Sequence, residues 1–190
     1  MIPVGGLLLV LLAVGPEVGE TPTRPALPYE SLGACPFECC TYRTWTVNTD
    51  TDLLAERRDE AAVVFRVRRG QHVDGLTGVV ITAELGRAVV RRTTTLGETG
   101  STLTVQPGDK VYVLHYVGEG YWKLWVRGRI LDEQLPDKDG GCEGDDREPV
   151  KCAIQIIEHP KTVWWAKIRS RKREGWTRQL DHFGEIDACG

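Results

Sequence analysis

Six cysteines and four histidines are the side chains of this 190-residue sequence that could ligate a metal or attack a substrate. Cys35, Cys39, Cys40, Cys142, Cys152 and Cys189 include no Cys-x-x-Cys pair, and His72, His115, His159 and His182 are scattered without ligand spacing. Zinc coordination is therefore not indicated, and no metal partner is expected. An even number of cysteines behind an export-like N-terminus points instead to disulfides. Cys142 and Cys152 flank the acidic stretch EGDDREPVK and could close it locally. Cys189 would then pair with one of Cys35, Cys39 and Cys40 and tie the chain ends together. Paired sulfurs leave no thiolate for cysteine-peptidase chemistry. The sequence also lacks Gly-x-Ser-x-Gly, His-Glu-x-x-His and a phosphate-binding glycine loop, so neither an enzyme nor a cofactor is expected.

Aromatic rings interleaved with cations are the other groups with chemical reach. YVGEGYWKLWVRG (116–128) and KTVWWAKIRSRKREGWTRQ (161–179) hold five of the six tryptophans. Alternation along a strand sorts each segment into two faces. Trp122, Leu124 and Val126 share one face, as do Trp164, Ala166 and Ile168; both sets are apolar and predict core. Tyr121, Lys123 and Trp125 form the opposite set, as do Val163, Trp165, Lys167 and Arg169. These mix ring and charge, which predicts an outer face on which Tyr121, Trp125 and Trp165 stack on a sugar or peptide while Lys123, Lys167 and Arg169 meet carboxylates. The competing reading packs the same rings against the other of two small domains, which are short of buried area, or under the acidic insertion. The basic run RSRKRE (169–174) suits a solvated hairpin turn, and a net charge of −3 gives no field for nucleic acid.

Short strands must position these groups. AVVFRVRRG places Val63, Phe65 and Val67 on one face against Arg66 and Arg68, and TGVVIT and RAVVRRT follow as further β-branched runs. Frequent glycines punctuate the pattern in the manner of small twisted sheets and barrels. Residues 50–62 lack an apolar stripe and read as a long loop. At the N-terminus the apolar run GGLLLVLLAVG (5–15) has the length of a signal-peptide core, so residues 1–20 are expected to be an export signal and 21–40 a proline-rich linker. The chain is then periplasmic or extracellular, or anchored through an uncleaved signal.

TDTDLLAERRDEAAVVFRVRRGQHVDGLTGVVIT, with its long irregular loop, hydrophobic strand and Arg69-Gly70 turn, resembles the opening of a bacterial SH3-like (SH3b) domain. LTVQPGDKVYVLHYVGEGYWKLWVRG resembles the same unit again, and WWAKIRSRKREGWT is similar to its last hairpin. The resemblance implies an all-β chain of two small SH3-like barrels in tandem, at 41–98 and 99–190, the second carrying an acidic loop insertion at 132–149. It also implies a cell-envelope binding module that holds a peptide or peptidoglycan component in an aromatic groove without turning it over. The alternative is a structural or assembly protein whose aromatics are internal and whose partner is another envelope protein.

Overall fold

A computed structural model describes residues 23–97, 102–136 and 152–189. The expected signal at 1–20, Cys142 and most of the acidic insertion lie outside the described residues. Within them the period-2 pattern becomes strand and no α-helix forms. In chain order the strands are β1 (Tyr29–Leu32), β2 (Thr44–Val47), β3 (Thr51–Leu54), β4 (Val63–Val67), β5 (His72–Glu84), β6 (Gly86–Val90), β7 (Thr94–Leu96) and β8 (Leu103–Val105). There follow β9 (Val111–Gly118), β10 (Tyr121–Val126), β11 (Arg129–Gln134), β12 (Ile154–Glu158), β13 (Lys161–Ser170), β14 (Arg173–Thr177) and β15 (Phe183–Gly184). The chain is all-β, with a curled half-barrel sheet.

The larger sheet runs β15-β2-β5-β13-β14-β3-β4, with β1 also paired to β5; the second runs β11-β10-β9-β6-β12, and β7 pairs with β8. Hydrogen-bonded neighbours thus cross position 98, because β13 pairs with β5 and β14 with β3. Each sheet has its own core. Trp45, Leu53, Phe65, Val67, Ile168 and Phe183 fill one, drawn from both ends of the chain. Val105, Val113, Trp122, Leu124, Val126 and Ile156 fill the other, drawn from the middle.

Two glycines permit the first core. A Cβ on Gly75 would lie 2.7 Å from the Trp45 ring, and one on Gly78 would lie 2.0 Å from the Tyr42 hydroxyl, so a side chain at either position would expel an aromatic. Tyr42, Trp45, Trp164 and Phe183 form a run of edge-on and tilted ring contacts at 5.9–6.5 Å. The Trp164 indole N–H donates to the Tyr42 oxygen at 3.1 Å, and burial pushes the Tyr42 phenol up to about 12.

Four sequence expectations change. Residues 50–62, expected as a long loop, begin with strand β3 (Thr51–Leu54), whose period-2 pattern buries Leu53 in the core, and only the remainder is loop. Val63 does not share a face with Phe65 and Val67: a bulge pairs Leu53 with Phe65 and Leu54 with Val63, and Val63 is left exposed. The stretch expected as a linker, 21–40, contains strand β1 in the larger sheet and the disulfide Cys35–Cys40. The insertion expected from 132 begins later, because β11 continues to Gln134 and Leu135 is buried in the middle core.

Cys39 pairs with Cys189, their Cα atoms 5.6 Å apart, and so joins the two ends as the sequence suggested. The surrounding backbone already holds them together: Ala188 N–H donates to Cys39 O at 2.8 Å, and Arg43 donates to the carbonyls of Glu185 and Asp187. Cys152 is disulfide-bonded as well. Such bridges belong to an oxidising, non-cytoplasmic compartment.

Candidate functional site

The two ring-and-cation faces lie on different sheets. On β10 and its neighbours, Tyr121 is exposed, Lys123 is half-buried and ion-paired with Asp132 at 2.6 Å, and Trp125 is buried to 7% exposure. On β13, Lys167 pairs with Glu174 at 2.6 Å, Arg169 pairs with Asp74 at 3.1 Å, and Trp165 is buried to 4%. The exposed three-ring platform expected from Tyr121, Trp125 and Trp165 is therefore corrected. Two of its rings are covered, and they belong to separate sheets.

Segments outside the strands supply the cover. Trp125 tilts against Tyr112 at 5.8 Å and shares a small cavity with Arg24, Pro25, Pro28 and Ile130, with Pro25 itself buried. The proline-rich N-terminal segment thus lies beside this ring. Trp165 lines a cavity with Leu54, Asp59 and Val63, placing the β3–β4 loop over its edge. Strand alternation assigned these rings correctly to the face away from the strand core. It carried no information about chain crossing that face from elsewhere.

The larger sheet nevertheless keeps one open cleft on the Trp165 side. Lys167 is the register partner of both Thr77 and Trp176, and Trp165 that of Val79, so all five residues share that face. Thr77, Val79 and Trp176 line a cleft of ≈600 Å³, walled by Leu32 of β1 and by Arg57 of the β3–β4 loop. Leu32 is 75% exposed, the most exposed large apolar side chain in the described chain, and Trp176 is half-buried. The Arg57 guanidinium stands 5.3 Å from the centre of the Trp176 ring and donates through Nη2 to Glu30 at 2.9 Å, while its buried Nη1 has no partner among the described residues. Apolar walls, one aromatic face and a few fixed polar groups are the usual constitution of a binding cleft.

Sequence reasoning missed Leu32, Arg57 and Glu30 and saw Trp176 only as part of a hairpin. Leu32 and Glu30 lay in a presumed linker and Arg57 in a presumed loop. An arginine within the charged run ERRDE gives no signal that it will stack on a ring more than a hundred positions away.

Two carboxylates on this sheet are held in their charged forms by neighbours. Hydrogen bonding from Arg66 lowers the Asp52 carboxyl, and Lys167 does the same for Glu174. His115 behaves differently. It is buried on β9, its Nδ1 lies 2.7 Å from Tyr116 O, its Nε2 has no partner among the described residues, and burial pushes its pKa down. It is a neutral packed imidazole. Among the described residues no group of three or more His, Cys, Asp or Glu side chains is placed to hold a metal, and no helix is long and apolar enough to cross a membrane. Comparison with protein-family models, curated proteins and solved structures gives no match.

Proposed function

We propose that this chain is a non-catalytic binding module of the cell envelope, which holds a peptide or a peptidoglycan component in the cleft between Leu32 and Trp176. In this reading it is an exported protein of two small SH3-like barrels. One is formed by β6–β12, and the other by β1–β5 completed by β13–β15. The two separate cores support the division, and the disulfides support an oxidising compartment. The cleft itself carries the proposal: a half-buried indole faces an exposed leucine across ≈600 Å³, a surface that solvation alone does not favour.

Retention of the purified, oxidised protein on intact peptidoglycan sacculi, with Trp176→Ala and Leu32→Ser as controls, tests this. Wild-type retention that both substitutions abolish is the expected result. A folded, oxidised sample that does not bind would overturn the wall-ligand reading.

A second reading is favoured by two observations. Trp125 and Trp165 are internal, as in an assembly protein, and the edge strand β4 exposes Val63 at 54% and Val64 at 44%. An apolar sheet edge is suited to pairing with a strand of another envelope protein. Val64→Lys should then abolish partner binding while Trp176→Ala leaves it intact.

A further inference from the structure

The cleft already contains a ligand-like group of its own. A cation over an indole face with a carboxylate at its edge is how proteins commonly hold guanidinium and ammonium ions, and Trp176 with Glu30 makes that arrangement around Arg57. The fit is incomplete, because Nη1 is buried without an acceptor among the described residues, and a buried charged donor left unpaired is costly.

We propose that Arg57 is an internal stand-in. Trp176 and Glu30 form a subsite for a guanidinium or ammonium side chain of a bound peptide, and the β3–β4 loop occupies it until such a peptide displaces Arg57. The inference rests on the cleft being the binding site and adds the chemistry of what enters it.

Charge and exposure both favour the exchange. With Arg57 withdrawn, Glu30 faces the cleft without its cation, while Glu56 and Arg58, which also line it, offset one another in charge. The vacated subsite is therefore anionic. Leu32, two positions from Glu30 on β1, supplies an apolar wall for the methylene stem of a long basic side chain. The loop is fastened at its base, where Ala61 is buried and its N–H donates to Arg58 O at 3.1 Å, and only by exposed groups at its tip. Ala55 N–H donates to Ala62 O at 2.8 Å at its base, and the ion pair from Asp59 to Arg178 is half exposed on both sides. Exposed pairs of this kind yield easily.

The test is fluorescence anisotropy of a labelled acetyl-Gly-Gly-Arg-Gly-Gly-amide with the full oxidised protein, alongside the same peptide carrying lysine or the uncharged isostere citrulline. Arg57→Ala should bind the arginine and lysine peptides at least about tenfold more tightly than wild type, with no gain for citrulline, and adding Glu30→Gln should remove the gain. Unchanged or weaker binding by Arg57→Ala, or an equal gain for citrulline, overturns the stand-in. Arg57→Gln, which keeps the stem and removes the charge, serves if Arg57→Ala is misfolded; unfolding of both makes Arg57 a structural residue and also overturns it. Sacculus retention lost in Trp176→Ala without any gain in Arg57→Ala would sink the stand-in and leave the cleft as the binding site. Failure of both experiments would remove the cleft as well.

Discussion

The outer faces of the two sheets start from the same sequence pattern and end differently. Each alternates rings with cations: Tyr121, Lys123 and Trp125 on β10, and Trp165, Lys167 and Arg169 on β13. Trp125 and Trp165 are both covered, at 7% and 4% exposure, the first beside the N-terminal segment and the second at the edge of the β3–β4 loop, but only the face carrying Trp165 also carries the Trp176 cleft. Strand alternation decides which way a ring points. Whether that ring becomes core or site is decided by the chain that passes above it.

The comparison is broken most severely at the anchor of the covering segment. Cys39–Cys189 closes a loop of 150 residues. Replacing both cysteines by serine should cost about 4–5 kcal/mol by the chain-entropy account, read as a lower denaturant midpoint. Little change would mean that the backbone bonds around Arg43 and Ala188 suffice to hold the ends.

Cavity formation comes next. Trp125→Ala should destabilise by about 3–5 kcal/mol, as a buried ring does. Trp176→Ala should cost clearly less, since half of that ring already faces water, and should be read in binding instead. Equal losses of stability for the two would erase the distinction between covered and open faces.

A smaller effect concerns pH. His115 has its pKa pushed down by burial from its ordinary 6.5, with Lys123 adding to the shift and Asp132 opposing it. The unfolded chain therefore takes up a proton more readily than the folded one. Stability should fall as pH drops below about 6.5 and should be unaffected by this group above it. His115→Asn should flatten that acid limb in thermal melts at pH 5 and 7; an unaltered slope would assign it to other groups.

The all-β class, the core sets on β10 and β13 and the joining of the chain ends by Cys189 were legible in the sequence, because each rests on short-range periodicity or on cysteine count. Partnerships over long separations were not. The hairpin that sets Trp176 beside Lys167 could be read locally, but nothing local shows that Thr77 lies on the other side of Lys167. Val63 was misassigned because a one-residue bulge reverses a face without changing composition. The cleft was invisible because Leu32, Arg57 and Trp176 come from three segments distant in sequence, only the last of which has a local pattern that draws notice.

The interrupted make-up of the larger sheet has a consequence for synthesis. Its strands β1–β5 are made first, yet β5 lacks its long neighbour until β13 is made, after the whole middle unit. A nascent chain emerging N-terminus first can close the β6–β12 core while the flanking strands still wait, so the order of completion runs from the centre outward. Strands β1–β5 are thus among the last to settle although they precede the middle unit, and the 39–189 bridge must wait until Cys189 has been made.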